Sequence, residues 1–132
     1  MKNFLLFIVA ALFIACESDK LNDEIAKTVV ESLINNIANA KYEEANNLYS
    51  TDFQKAESLE ARKVKFEVLN ASLGKLISME VADIKNEQPT GEESRVTLTY
   101  SVKHERKNSR ESFIVIKDEG EYRVAAHNIV SE

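Results

Sequence analysis

The sequence predicts an α+β fold in which N-terminal helices pack on a curved antiparallel β-sheet of about four strands. In the first part of the chain, from residue 21 to residue 73, apolar residues recur at helical spacing. After Gly74 the apolar period changes to two, and short turn segments separate the alternating runs. Helices followed by strands that are joined only by turns indicate an antiparallel meander covered on one side by the helices.

The first predicted helix covers residues 21–39, and either Asn22 or Asp19 is suited to cap its start. Its apolar positions recur at intervals of three and four residues, at Ile25, Val29, Val30, Leu33, Ile34 and Ile37. Such spacing places these side chains on one face, which is typical of a helix packed against a core.

Two further helices are predicted before the sheet. Residues 42–49 form a short amphipathic helix that turns Ala45, Leu48 and Tyr49 inward. Residues 58–73 form a longer helix whose predicted buried residues are Phe66, Leu69 and Leu73. Gly74 follows directly, where a glycine in the left-handed conformation commonly ends a helix.

Four strands follow Gly74. The first includes Ile77, Met79 and Val81, and the phase shift at Ala82 and Asp83 predicts a β-bulge. Residues 86–94 form a loop, and residues 95–104 alternate strictly between apolar and polar side chains. Turns at residues 107–109 and 118–120 delimit an apolar strand at 113–117 and a last strand at 122–130.

The turns predict that Lys117 pairs near Glu121 and that Arg106 pairs near Arg110, which determines the faces of the sheet. This register places on the core face Leu98, Tyr100, Val102, His104, Ser112, Ile114, Ile116, Tyr122, Val124, Ala126 and Asn128. It leaves on the outer face Thr97, Thr99, Ser101, Lys103, Phe113, Val115, Arg123, Ala125, His127 and Ile129. Soluble monomers rarely expose large apolar patches. We therefore expect Phe113, Val115 and Ile129 to contact a second copy of the chain or a partner protein.

The amino terminus carries an apolar run at residues 4–15 that is preceded by Lys2. A membrane-spanning helix needs roughly 20 apolar residues, so this run is too short to span. It has the length of the apolar region of a cleaved signal peptide, with the small Ala15 at the cleavage position.

The segment Leu12-Phe13-Ile14-Ala15-Cys16 resembles the lipobox of bacterial lipoproteins, although Phe13 stands where leucine is most usual. The resemblance implies lipidation of Cys16 and cleavage before it. The alternative is a plain secretory signal beside an incidental cysteine. We expect a cleaved signal at residues 1–15, a lipidated cysteine and tether at 16–21, and one domain at 22–132. The expected location is the bacterial cell envelope, in the outer membrane if the cell is Gram-negative, with lipid on Cys16 as the membrane contact.

Composition excludes several classes of function. The net charge of −5 argues against binding of nucleic acid. Two histidines, which the predicted register places on opposite faces, do not make a zinc site, and Cys16 is assigned to lipid. There is no glycine-rich phosphate loop and no serine in a nucleophile elbow, so we expect neither a metal nor a cofactor.

Three segments carry a family resemblance. Residues 40–50 with Phe53, residues 73–78 and residues 122–129 resemble the second helix, the turn into the first long strand and the closing strand of the nuclear transport factor 2-like (cystatin-like) superfamily. The likeness extends over about residues 21–130 and is closest to small bacterial lipoproteins of that superfamily. It implies a cone-shaped fold rather than one activity.

Enzymes of that superfamily place an acid or a His/Asp pair inside the cone. By the predicted register, His104 is the candidate base here and Tyr100 the candidate hydrogen-bond donor to an oxyanion. Tyr122 and Asn128 complete the predicted pocket for a small apolar ligand. The alternative is that His104 and Asn128 are rim residues bonded to loops. His127 opposite Glu111 is predicted to be a cross-strand pair on the surface.

Three functions follow from these observations. The first is a non-enzymatic, lipid-anchored module that binds a ligand or another protein. The second is a small isomerase- or hydrolase-like enzyme that uses His104 and Tyr100. The third is a structural spacer in the envelope that has neither a pocket nor a partner.

Overall fold

The computed structural model describes residues 20–132, which form four helices followed by four strands. The helices are α1 (Asp23–Ala38), α2 (Tyr42–Asn46), α3 (Thr51–Ala56) and α4 (Leu59–Leu73). The strands are β1 (Leu76–Glu87), β2 (Arg95–His104), β3 (Asn108–Asp118) and β4 (Glu121–Ser131). The strands form one antiparallel sheet in the order β1-β2-β3-β4, as the sequence predicted. The expected signal, Cys16 and most of the tether lie outside the described residues.

Helix α1 packs on the concave side of the sheet. The side chain of Asn22 accepts a hydrogen bond from the backbone N–H of Ile25 at 3.1 Å, which confirms Asn22 as the cap. The buried residues of α1 lie at the predicted spacing, at Ala26, Val30, Leu33, Ile34 and Ile37. This periodicity buries one face of α1 against the strands and leaves the other in solvent.

The second helical segment differs from its prediction. Helix α2 ends at Asn46, and a separate short helix, α3, begins after Ser50. The Ser50 hydroxyl accepts a hydrogen bond from the Phe53 N–H at 3.2 Å. The Asp118 carboxylate accepts from the Thr51 N–H at 2.8 Å and from the Thr51 hydroxyl at 3.0 Å. These bonds satisfy the free N–H groups at the start of α3 and connect it to the β3–β4 turn.

Two predicted irregularities are confirmed. The pairing of β1 with β2 skips Ala82, so the bulge lies where the phase of the sequence shifts. Gly74 ends α4 with a φ of 81°. A Cβ at that position would stand 3.1 Å from the Cβ of Glu105, so both the backbone conformation and the close approach favour glycine.

The predicted faces of β3 are wrong. Leu98 pairs with Phe113, and Lys103 pairs with Asn108, so the turn lies earlier in the chain than the predicted turn at residues 107–109. Phe113 and Val115 therefore point into the core and are 0% exposed, so they form no partner surface. Ile114 takes their predicted place on the outer face, where it is half-buried. Both faces of β3 are apolar, so alternation alone could not decide between the two registers.

The second half of β4 is also reversed relative to its prediction. The pairs Ile114–Ala126 and Val115–Val124 leave Ala125 as an extra residue, which forms a bulge that the sequence did not reveal. Beyond it, His127 and Ile129 point to the concave side of the sheet. The side chains of His127 and Glu111 are only 3% and 7% exposed, so they are a buried pair rather than a surface pair.

Within residues 20–132, no helix has the length and apolar character needed to cross a membrane.

Candidate functional site

An open cleft of about 320 Å³ lies between helices α3–α4 and the second half of β4. Its apolar walls are formed by Phe53, Phe66, Leu69 and Ile129, and Tyr49, Arg62 and His127 also line it. Lys65 and Glu57 lie beside the opening and form an ion pair at 2.8 Å. Apolar walls with a few convergent polar groups are typical of ligand sites in proteins.

Three buried side chains form a hydrogen-bonded relay beside this cleft. The Tyr49 hydroxyl is 2.7 Å from Nδ1 of His127, and Nε2 of His127 is 2.9 Å from Oε1 of Glu111. The Ser109 hydroxyl donates to the other carboxylate oxygen of Glu111 at 3.3 Å. A carboxylate only accepts, so Glu111 takes the Nε2–H of the imidazole. In the neutral imidazole, Nδ1 is then the acceptor for the Tyr49 hydroxyl.

Ring stacking fixes the orientation of this relay. The Phe113 ring lies 4.3 Å from the His127 ring, at an interplanar angle of 23°. On the helical side, the Phe53 ring lies 4.0 Å from the Tyr49 ring, at 8°. Because both polar rings are held by stacking as well as by hydrogen bonds, the relay is preorganised rather than free to rotate.

Arg62 is a buried cation beside Tyr49. Its side chain lies over the Tyr49 and Phe53 rings, with the guanidinium carbon 5.3 and 4.9 Å from their centroids. The guanidinium donates to the backbone carbonyls of Phe53 at 3.1 Å and Glu57 at 2.9 Å, and also to the side chain of Asn46. Arg62 therefore links the end of α3 to the start of α4, and its guanidinium is hydrogen-bonded inside the protein.

Burial raises the pKa of the Tyr49 hydroxyl well above its usual range. The positive charge of Arg62 opposes this shift, whereas the negative charge of Glu111 adds to it. Tyr49 therefore stays protonated at neutral pH, and its hydroxyl can take part in hydrogen bonds but cannot act as a base.

The structure separates the predicted catalytic pair from the cleft. Tyr100 is 0% exposed, and its hydroxyl has no hydrogen-bond partner within residues 20–132. His104 is 8% exposed and lines a different void of about 20 Å³, together with Glu111. A void of that size holds about one water molecule, so it cannot take a substrate. The room for a ligand lies at His127 instead.

His104 has an unusual environment within that void. Its Nδ1 is buried and has no hydrogen-bond partner among the described residues. Burial lowers the pKa of His104, and the charge of Glu111 and a hydrogen bond with the Lys107 backbone oppose the shift. His104 is therefore a neutral core residue at pH 7.

The other two predicted pocket residues also lie elsewhere. The Tyr122 hydroxyl accepts a hydrogen bond from the Asn22 N–H at 2.9 Å and so supports the start of α1. Asn128 is exposed, because the bulge at Ala125 turns it to the outer side of the sheet. The residues at positions 20–132 contain no group of histidine, cysteine or acidic side chains that could hold a metal ion.

Sequence reasoning missed Tyr49, Arg62, Glu111 and His127 as site residues. One signal was available for Arg62, because it lies four residues before Phe66 on the buried side of α4. A charged residue at such a position indicates a buried cation whose hydrogen bonds are made within the fold. No comparable signal identified His127, because the face of the sheet on which its side chain lies depends on the bulge at Ala125.

Comparison with known proteins identifies the fold. No family model matches the sequence, and no curated protein sequence matches it. Among solved structures, the chain is similar to one from Streptomyces avermitilis described as a "putative dehydratase from the NTF2-like family". The TM-score is 0.55 at 10% sequence identity, and the match covers 83% of this chain and 94% of the other. Likeness at this identity shows the fold alone. The chain has the nuclear transport factor 2-like fold, an α+β cone of helices on a curved antiparallel sheet.

Proposed function

We propose that this chain is a lipid-anchored binding module of the bacterial cell envelope, and that it binds its partner in the cleft between α4 and β4. The observation that supports the proposal is the open cleft of about 320 Å³, whose apolar walls converge on a buried polar relay. A relay of this kind orients polar groups at a fixed place beside apolar surface, which is the arrangement that binding requires.

A spacer would not need such an arrangement. Burying polar side chains costs free energy unless each is hydrogen-bonded, and an apolar core would hold the same fold more simply. This chain instead buries three polar side chains, Arg62, Glu111 and His127, next to an accessible cleft. Their placement favours a module with a ligand over a module without one.

Lipid on Cys16 would hold the domain close to its membrane. The side chain of Asn86 donates to the carbonyl of Leu21 and to the side chain of Asp23, both at 2.7 Å, so the folded domain starts at Leu21. Only a few residues separate Cys16 from Leu21, and an extended chain advances about 3.5 Å per residue. The reach of the tether is therefore shorter than the domain itself.

Native mass spectrometry of the full chain, purified from its own envelope, tests both parts of the proposal. We expect a co-purifying molecule or polypeptide on the wild type, and its loss on Leu69→Arg, which places a charge in the cleft. Val68→Arg is the matched control, because Val68 is 67% exposed on the same helix. The thermal unfolding of both variants shows whether they fold.

The same spectra report the anchor. We expect an acyl mass on the wild type that Cys16→Ala removes. A wild-type chain with no acyl mass contradicts the anchor, and a wild-type chain with no bound species contradicts the binding function.

One observation favours a second candidate, an enzyme of the isomerase or hydrolase type. Glu111 orients the His127 ring, and Tyr49 ends the relay beside the cleft, so a bound substrate would meet a general acid–base system. In this candidate Nδ1 of His127 accepts a proton from the substrate, and the Tyr49 hydroxyl, released from Nδ1, donates a hydrogen bond to the negative charge that develops on the substrate. Tyr49→Phe should then abolish turnover of the co-purified molecule while its binding remains. Unchanged turnover would exclude Tyr49 from the chemistry.

A further inference from the structure

We propose that the partner of the cleft is an extended polypeptide segment, which adds as a further strand to the open edge of β4. This inference rests on the proposed function, because it takes the cleft between α4 and β4 as the binding site. It names the class of partner, and it identifies the backbone of β4 as the group that recognises it.

The edge of β4 is covered over only part of its length. The Ser50 N–H donates to the Val124 carbonyl, and the Val124 N–H donates to the Leu48 carbonyl, both at 2.8 Å. Tyr49 thereby forms a parallel bridge with Val124, so a strand-like segment already pairs with this edge. Beyond Val124, no described residue outside the sheet forms a hydrogen bond with the backbone of β4.

The bulge at Ala125 determines which backbone groups are free. At the end of the strand, the Glu132 N–H donates to the Asn108 carbonyl at 2.8 Å. Backbone groups alternate in direction along an antiparallel strand, so the even-numbered residues of this half of β4 face β3. The N–H and C=O groups of His127, Ile129 and Ser131 therefore point away from the sheet, at the spacing that an added strand requires.

The two edges of the sheet differ in how they are protected. Natural sheets discourage pairing at their edges with charged residues or proline. Strand β1 carries four charged residues along its edge, at Glu80, Asp83, Lys85 and Glu87. In β4, the eight residues 124–131 include no lysine, arginine, aspartate, glutamate or proline. The edge beside the cleft is therefore the one that the sequence leaves available for pairing.

The cleft complements the side chains of an added strand. Such a strand would lie about 4.8 Å from β4, between that strand and the helices. Every second side chain would point to the concave side, where Phe53, Phe66 and Leu69 form the apolar wall. The partner is therefore an extended segment with apolar residues at alternate positions, since main-chain pairing supplies affinity and alternate pockets supply specificity.

A peptide selection tests this inference directly. Random dodecapeptides displayed on phage are selected against the full chain in detergent, and the selected peptides are synthesised. Each peptide is then made in two N-methylated forms. One phase is methylated at the odd-numbered backbone nitrogens and the other phase at the even-numbered ones. We expect one phase to lose about 100-fold in affinity, because it removes about three hydrogen bonds, and the other phase to bind normally.

A pair of protein variants locates the effect on β4. Ile129→Pro removes an outward N–H, which an edge strand tolerates, whereas Ile129→Val keeps that N–H and a similar side chain. We expect the proline variant to bind the peptides at least about 10-fold more weakly than the valine variant. Thermal unfolding shows whether the proline variant folds, and the methylated peptides test the wild type independently of it.

Hydrogen exchange of the wild-type amides separates the competing outcomes. We expect the peptides to protect amides of β4 and not those of β1. If selection yields no peptide, or only peptides insensitive to N-methylation, the inference is overturned, while a small molecule found in the cleft would still support the proposed function. Protection of β4 that rises with protein concentration alone would identify a second copy as the occupant, which also overturns it.

Discussion

The two histidines of this domain lie on either side of the same carboxylate, yet their environments differ. His127 uses both ring nitrogens, bonded to Tyr49 and to Glu111, and it lines the open cleft. His104 shares a void of about 20 Å³ with Glu111, and its Nδ1 has no hydrogen-bond partner in the part of the chain that the structure describes. Facing the apolar side of a sheet therefore does not by itself make a histidine a site residue. The room beside it and the partners of its nitrogens decide its role.

The largest expected effect on stability comes from removing the Phe113 ring, which stacks on His127. Phe113→Ala should lower the free energy of unfolding by about 4 kcal/mol, because it removes a fully buried aromatic ring. Ile114→Ala, on the outer face, is the matched control and should cost about 1 kcal/mol. Urea unfolding measures both. If the two costs are equal or reversed, the register of β3 described above is wrong.

Loss of the shared carboxylate should have the next largest effect. Glu111→Leu leaves the Nε2–H of His127 and the Ser109 hydroxyl buried without an acceptor. We expect a loss of about 3 kcal/mol in the free energy of unfolding. Glu119→Leu, in the exposed β3–β4 turn, is the control and should change it by less than about 0.5 kcal/mol. A Glu111→Leu protein as stable as the wild type would contradict the buried relay.

Removing the outer end of the relay should cost less. Tyr49→Phe keeps the stacked ring and leaves only Nδ1 of His127 without its partner, so we expect a loss of about 1–2 kcal/mol. Tyr122→Phe loses a hydroxyl at the less buried start of α1 and should cost less than about 1 kcal/mol. Thermal unfolding and the ¹⁵N resonances of the His127 ring measure the two effects. An unchanged Nδ1 resonance in Tyr49→Phe would show that the bond is absent.

The smallest effect concerns pH and His104. Burial lowers the pKa of His104 from the ordinary value of 6.5. The imidazole of His104 therefore takes up a proton at a higher pH in the unfolded chain than in the folded one. The contribution of the neutral ring to stability is therefore complete above about pH 6.5 and is lost as the pH falls below it. His104→Leu should flatten the dependence of unfolding free energy on pH between 7.5 and 5. A variant with the wild-type slope would assign the dependence to another group.

The sequence predicted the architecture because periodicity reports it directly. The helical spacing at Ile37, the cap at Asn22, the end of α4 at Gly74 and the bulge at Ala82 all leave local signals, and each is confirmed. The candidate site depends instead on register. The turn lies before Asn108 rather than at residues 107–109, which changed the side on which Phe113 lies, and one extra residue in β4 changed the side of His127. The turn leaves the alternation within β3 unchanged. The bulge shifts the alternation within β4 only at two alanines, which mark neither face, so neither change could be read from the sequence.

The central claim is that the functional end of the cone lies at His127 and not at His104. An NMR fragment screen of the chain with ¹⁵N-labelled histidine side chains tests it most directly, because both rings are observed in the same sample. We predict that binding fragments shift the ring resonances of His127 and leave those of His104 unchanged. Fragments that shift His104 and leave His127 unchanged would contradict the account.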